Sequence, residues 1–139
     1  MGGGPQGNYE SKKMMLKNIL LVGFAGGIGS IARFLCQKYL YAWNPHPFPI
    51  GTFVVNIFGC FLIGLFYGLS ERGNILTPEW RLLLTTGLCG GFTTFSSFAY
   101  ENINLLKSGD FFYFGLYTVG SVVLGIAAAY CGIILLKLI

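Results

Sequence analysis

The sequence predicts an all-α membrane protein of four transmembrane helices, the third broken mid-membrane. Two features of the sequence carry the membrane reading. Hydrophobic residues make up 54% of the chain and charged residues only 10%, where a soluble domain carries about 25%. Nine basic and five acidic side chains are too few to cover a water-soluble surface. The uncharged runs are long enough to cross a bilayer, which needs about 20 apolar residues, so a buried helix of a soluble core is set aside. The third observation is local: Leu82 to Tyr100 carries no charge yet holds Gly87, Gly90, Gly91, Thr93, Thr94, Ser96 and Ser97. Glycines weaken a helix, and hydroxyls at membrane depth must face protein or water.

Residues 1–16 are polar, Gly-rich and basic, and are expected to form a flexible tail; residues 17–139 are expected to form one four-helix transmembrane domain. The first span, about 19–40, contains Gly23 and Gly27 in the spacing that lets helix backbones approach closely. Its Gly27-Ile28-Gly29-Ser30-Ile31-Ala32 matches the loose dinucleotide fingerprint, but no βαβ context or nearby acidic residue supports that reading. Arg33 lies seven residues from the span's end, roughly 10 Å deep. It is placed either to snorkel or to line an anion-concentrating vestibule. Pro45, Pro47 and Pro49 make a rigid turn before the second span, about 50–69, where Asn56 is the one strong polar group and Thr52 shares its face. An Asn in hydrocarbon needs a partner, either another helix or a permeating anion. Gly64 and Gly68 repeat the small-residue spacing.

Thr77-Pro78-Glu79-Trp80 reads as a helix start, with Thr at the cap, Pro in the first turn and Trp at the interface. The third span follows, about 82–100, with Glu101 at its end and a loop over 102–110. Phe95 and Phe98 stand three apart among its hydroxyls. The fourth span covers about 111–136, where Tyr117 and Ser121 share one face and serve either packing or a polar track. Cys36, Cys60, Cys89 and Cys131 are scattered through apolar runs and His46 stands alone, which excludes a zinc site. No basic stripe with interleaved aromatics suggests nucleic acid, and no phosphate-binding loop suggests a pump driven by ATP.

Three stretches in order resemble the Fluc (CrcB) fluoride channels: Gly26-Gly27-Ile28-Gly29 with Ala32-Arg33-Phe34, then Gly51-Thr52-Phe53-Val54-Val55-Asn56-Ile57-Phe58-Gly59, and most specifically Gly87-Leu88-Cys89-Gly90-Gly91-Phe92-Thr93-Thr94-Phe95-Ser96-Ser97-Phe98. The resemblance covers nearly the whole chain after Leu16. It implies a passive fluoride-selective channel of the inner (plasma) membrane that exports fluoride and protects against its toxicity. It implies an antiparallel dual-topology homodimer in which one subunit is inverted and two pores run antiparallel. By resemblance, Phe95 and Phe98 are the pore aromatics, Asn56 the pore asparagine, Tyr117 and Ser121 the hydroxyls of the fourth helix, and Arg33 the vestibule arginine. Gly90 and Thr93 match positions whose backbone carbonyls hold a structural sodium ion at the dimer axis. Thr94 and Ser97 are assigned to the same fluoride path on their hydroxyls.

Elementary chemistry agrees with these roles. A strongly hydrated anion must exchange water for donors, which Asn, Ser, Thr and Tyr supply. Aromatic ring edges are positive. Neutral donors also let an ion leave, as conduction requires. On the side of the termini lie Lys12, Lys13, Lys17, Arg72, Arg81 and Lys137, against Lys38 and Lys107 with Arg33 as a possible third on the other. This bias favours cytoplasmic termini and rests largely on the tail. Two other classes stand beside the channel: a small four-span proton-coupled multidrug exporter, which needs an intramembrane carboxylate, and a non-transporting assembly subunit.

Overall fold

In the computed structural model, which describes residues 5–73 and 75–138, every regular element is helical. Helix α1 covers Pro5–Ala42 and α2 Ile50–Glu71. The third span, Pro78–Ser108, is composite. It begins with α3 (Pro78–Leu82), widens into a π-helical stretch (Leu83–Cys89), tightens into α4 (Gly90–Phe92) and continues as α5 (Phe95–Ser108). Helix α6 is Phe111–Leu138. All four spans are long and apolar enough to cross a membrane.

The first helix starts well before the expected span. The segment assigned to a tail is helical from Pro5, because after Gly7 the stretch to Leu16 holds good helix formers such as Glu10, Lys12, Lys13, Met14 and Met15. The turn after α1 is held by Asn44, whose Nδ2 donates to the Phe48 carbonyl at 2.7 Å. Pro49 then precedes α2. The third span starts as its sequence predicts: Thr77 Oγ1 accepts from the Trp80 N–H at 3.3 Å, with Pro78 in the first turn. It ends later than its sequence suggests. The stretch expected as a loop over 102–110 is helical to Ser108, and the connection shrinks to Gly109 and Asp110. Gly109 adopts φ 79°, a left-handed conformation natural to glycine, and the Asp110 N–H returns to the Leu105 carbonyl at 2.9 Å.

Helix α2 packs chiefly on α6, and α1 on the π-helical stretch and α4. Both contacts are backbone to backbone. A Cβ on Gly91 would collide with the Gly26 carbonyl, and one on Gly64 with the Ala129 carbonyl. Gly68 likewise closes on Ile133 and Leu136. The Gly23 and Gly27 pair differs from expectation: neither has a neighbour within 4 Å, so that small-residue face is turned outward and its neighbours Gly26 and Gly29 make the contacts with the third span.

Candidate functional site

The site begins with a hydrogen bond that the third span does not make with itself. In a continuous helix the Thr94 N–H would donate to the Gly90 carbonyl. Here it donates to Asn56 Oδ1 at 2.8 Å, and Asn56 Nδ2 donates back to the Thr94 carbonyl at 3.0 Å. The backbone turns extended there, with φ −83°, ψ 160° at Thr93 and φ −151°, ψ 121° at Thr94. The Ser97 N–H, the helical partner of the Thr93 carbonyl, donates instead to Thr94 Oγ1 at 3.2 Å, so Thr94 caps α5. The third span as a whole bends by 21°. Buried backbone polar groups need partners, and one asparagine on α2 supplies both for Thr94.

Around this pair lies a cavity of about 330 Å³, lined by Asn56, Thr93, Thr94, Phe95, Phe98 and Ser121, with Gly90 and Cys89 at its wall. Ser121 Oγ is buried and has no hydrogen-bond partner among the described residues. Phe95 is 79% exposed on the single chain, its ring centroid 5.6 Å from Phe98, which stands 5.1 Å from Tyr117. Ser97 reaches the cavity only through Thr94, its hydroxyl 3.2 Å from Thr94 Oγ1.

Tyr117, expected to share a face with Ser121, gives its hydroxyl to another helix. It is fully buried, and its hydroxyl turns away to donate to Glu101 Oε2 at 2.7 Å. Glu101 is the centre of a second polar cluster. Its Oε1 accepts from Thr52 Oγ1 at 2.7 Å and from the Tyr41 hydroxyl, and Gln37 Nε2 donates to Thr52 at 2.9 Å. The sequence reading placed Glu101 at a helix end; it lies inside α5, where the helix extends seven residues beyond it. The Glu101, Tyr41, Thr52 and Gln37 grouping was missed, although the i, i+3 step from Phe98 to Glu101 puts the two on one face of α5. Arg33 is half-buried on α1 and lines none of the cavities described here.

For a cation, the side chains offer little: among the described residues no group of three His, Cys, Asp or Glu could hold a metal ion. The backbone offers more. The Gly90 and Thr93 carbonyls have both lost their helical donors to Asn56 and Thr94, and bare carbonyl oxygens suit a hard ion such as sodium. Gly90 is exposed on the single chain.

A bundle of four membrane-length helices, with neutral donors and aromatic rings gathered around one cavity, is a multi-pass membrane protein. Residues 20–133 match the model of the family described as CrcB-like protein, Camphor Resistance (CrcB). The chain is 51% identical over 118 residues to a protein of Phocaeicola vulgatus named fluoride-specific ion channel FluC, covering 85% of this chain and 97% of that one. Proteins with the same name from Chlorobium phaeobacteroides (51% over 120 residues, 86% and 93% covered) and Leptospira interrogans (45% over 121, 87% and 95%) are similar over the same extent. The chain belongs to the CrcB family.

Proposed function

We propose that this chain is a subunit of a passive, fluoride-selective channel that lets fluoride leave the cell and so protects against its toxicity. The names of the curated relatives support the substrate. The observation that carries the mechanism is the Ser121 hydroxyl, buried without a partner in the cavity that Asn56 and the two phenylalanines also line. Such a donor costs free energy unless something accepts from it. An anion in the cavity would meet Ser121 Oγ, the second amide proton of Asn56, the Thr94 hydroxyl with Ser97 behind it, and the ring edges of Phe95 and Phe98. Tyr117 continues the line through its ring contact with Phe98 and its hydroxyl on Glu101. Arg33 acts further out, raising the local anion concentration at a vestibule.

The remaining features call for a second, inverted copy. Phe95 and Gly90, both exposed on the single chain, then face the partner, and two antiparallel pores arise from one interface. The extended backbone at Thr93 and Thr94 sits mid-membrane in this reading, breaking the third span where the two copies cross. The freed Gly90 and Thr93 carbonyls of the two chains would hold the structural sodium ion, which supplies a fixed charge at the axis and is not transported. Melting in sodium against N-methylglucamine tests that site; identical melting in both overturns it.

One observation favours a proton-coupled exporter more than the sequence did, since Glu101 is a carboxylate inside a membrane-length helix. Its oxygens, however, already accept from three hydroxyls, where an exchanging carboxylate must release its partners to bind proton and cation in turn. Fluoride efflux from proteoliposomes, read by a fluoride electrode, decides between the readings. Fluoride release without chloride release is expected. No fluoride efflux, or chloride efflux at a comparable rate, overturns the channel.

A further inference from the structure

At the end of the bundle that bears the start of α1, a corner between α1, α2 and α3 encloses about 480 Å³ lined by Asn18, Tyr67, Arg81 and Thr86 among others. Among the described residues no carboxylate lines it. Glu79, the near acid, is paired with Lys17 at 3.5 Å on the rim. The Arg81 guanidinium meets only the face of Tyr67, 5.7 Å from the ring centroid, and no described carboxylate lies within 4 Å of it. The hydroxyls of Tyr67 and Thr86 and the Nδ2 group of Asn18 donate to none of the described residues, while Asn18 Oδ1, which is an acceptor and cannot itself hold an anion, is buried without a partner among them. One cation, two hydroxyls and the Asn18 Nδ2 group therefore surround a space with no counter-charge among the described residues, which is the chemistry of an oxyanion site.

A second, almost wholly apolar groove of about 740 Å³ adjoins it and shares Asn18 and Leu82; Met14, Met15, Ile19 and Val22 line it along α1. The polar corner and the apolar groove together match one amphiphile, with an anionic head and a hydrocarbon chain. Trp80 is 56% exposed beside them, as interfacial tryptophans are. Lys12, Lys13 and Lys17 give the same end a positive field that attracts anionic lipid. We propose that this corner binds the phosphodiester headgroup of an anionic phospholipid on Arg81, Tyr67, Thr86 and Asn18, with an acyl chain in the α1 groove. The site is independent of the anion path and stands whether or not the chain conducts fluoride.

The test is native mass spectrometry of the full-length protein in detergent with dioleoyl phosphatidylglycerol. Dioleoylglycerol, which lacks the phosphate, and glycerophosphoglycerol, which lacks the chains, serve as comparison ligands. The wild type should retain phosphatidylglycerol over dioleoylglycerol, and glycerophosphoglycerol at the same concentration should not displace it. Arg81→Gln should lower retention about tenfold, the cost of losing a charge-assisted contact, while Arg81→Lys keeps most of it. Ile19→Trp, at a position 57% exposed and so harmless to folding, should fill the groove and lower retention too. Unchanged elution volume and helical circular dichroism establish that each variant is folded. Equal retention by Arg81→Gln, or by Ile19→Trp, overturns the proposal. Displacement by glycerophosphoglycerol assigns the corner to a soluble phosphate ester and overturns the lipid. Should Arg81→Gln not fold, indifference of the wild type to the phosphate overturns it equally.

Discussion

Replacing Asn56 by Asp changes one atom and separates the two jobs of this side chain. Asn56 accepts from the Thr94 N–H at 2.8 Å and donates to the Thr94 carbonyl at 3.0 Å. An ionised Asp keeps the first bond and turns the second into a contact between two acceptors. That costs about 1–3 kcal/mol, the range for a lost bond with its partner left unpaired, so the fold should survive with a lower melting temperature. The cost to conduction is larger. A carboxylate beside the cavity repels an anion about 4 Å away by roughly 4 kcal/mol at an effective permittivity of 20, or about a thousandfold in occupancy. Fluoride efflux from proteoliposomes of Asn56→Asp should therefore fall by orders of magnitude while the protein still elutes as the wild type does. Wild-type flux in a folded Asn56→Asp protein would show that Asn56 does not face the permeating ion.

Phe95→Ile removes a ring that is 79% exposed on the single chain, so monomer stability should hardly change while fluoride flux drops sharply; undiminished flux removes Phe95 from the path. Gly91→Ala drives a methyl into the Gly26 carbonyl, a backbone atom that cannot step aside, and should cost about 1–3 kcal/mol in thermal unfolding. Gly23→Ala, with open space around it, should be neutral within the chain, and equal loss in both variants would refute this packing. Glu101→Gln leaves one acceptor oxygen for three hydroxyl donors, which should lower the melting temperature by an amount equivalent to about 1–2 kcal/mol; an unchanged transition means the cluster is not what orders Tyr41, Thr52 and Tyr117.

The positions of the four spans were legible because a lipid-facing helix must be uncharged, and that constraint is written residue by residue. Where polarity and helix coincide the reading failed. Asn102, Asn104, Lys107 and Ser108 look like a loop, yet Asn102 satisfies itself inside the bundle, donating to the Phe98 carbonyl at 3.0 Å and accepting from Thr118 Oγ1 at 2.8 Å. Gly109 was the available stop signal. The glycine spacing showed that α1 meets a close neighbour but not which face does so, because Gly23, Gly26, Gly27 and Gly29 together offer more than one face of small residues. Asn56 and Ser121 were foreseeable as buried polar groups in hydrocarbon. The direction of the Tyr117 hydroxyl was not, since its partner Glu101 lies on another helix and was expected at a membrane surface.

The resemblance treats Asn56 and the Gly90 and Thr93 carbonyls as parts of two different sites, one for an anion and one for a cation. The hydrogen bonds make them one device. The Thr94 N–H can serve either the Gly90 carbonyl, closing the helix, or Asn56 Oδ1, opening it, and in the structure it serves Asn56. The amide that lines the cavity is thus also what takes the Thr94 N–H away from the Gly90 carbonyl. Asn56→Leu should let the third span recover the Thr94 to Gly90 bond, because an unpaired buried N–H is costly and the Gly90 carbonyl is its helical partner. Loss of fluoride flux and loss of any sodium-dependent rise in melting temperature should then appear together in this variant. Phe95→Ile, which leaves the Asn56–Thr94 pair intact, should lose flux alone. A folded Asn56→Leu protein whose melting still rises in sodium as the wild type's does would break the link and leave the two sites independent.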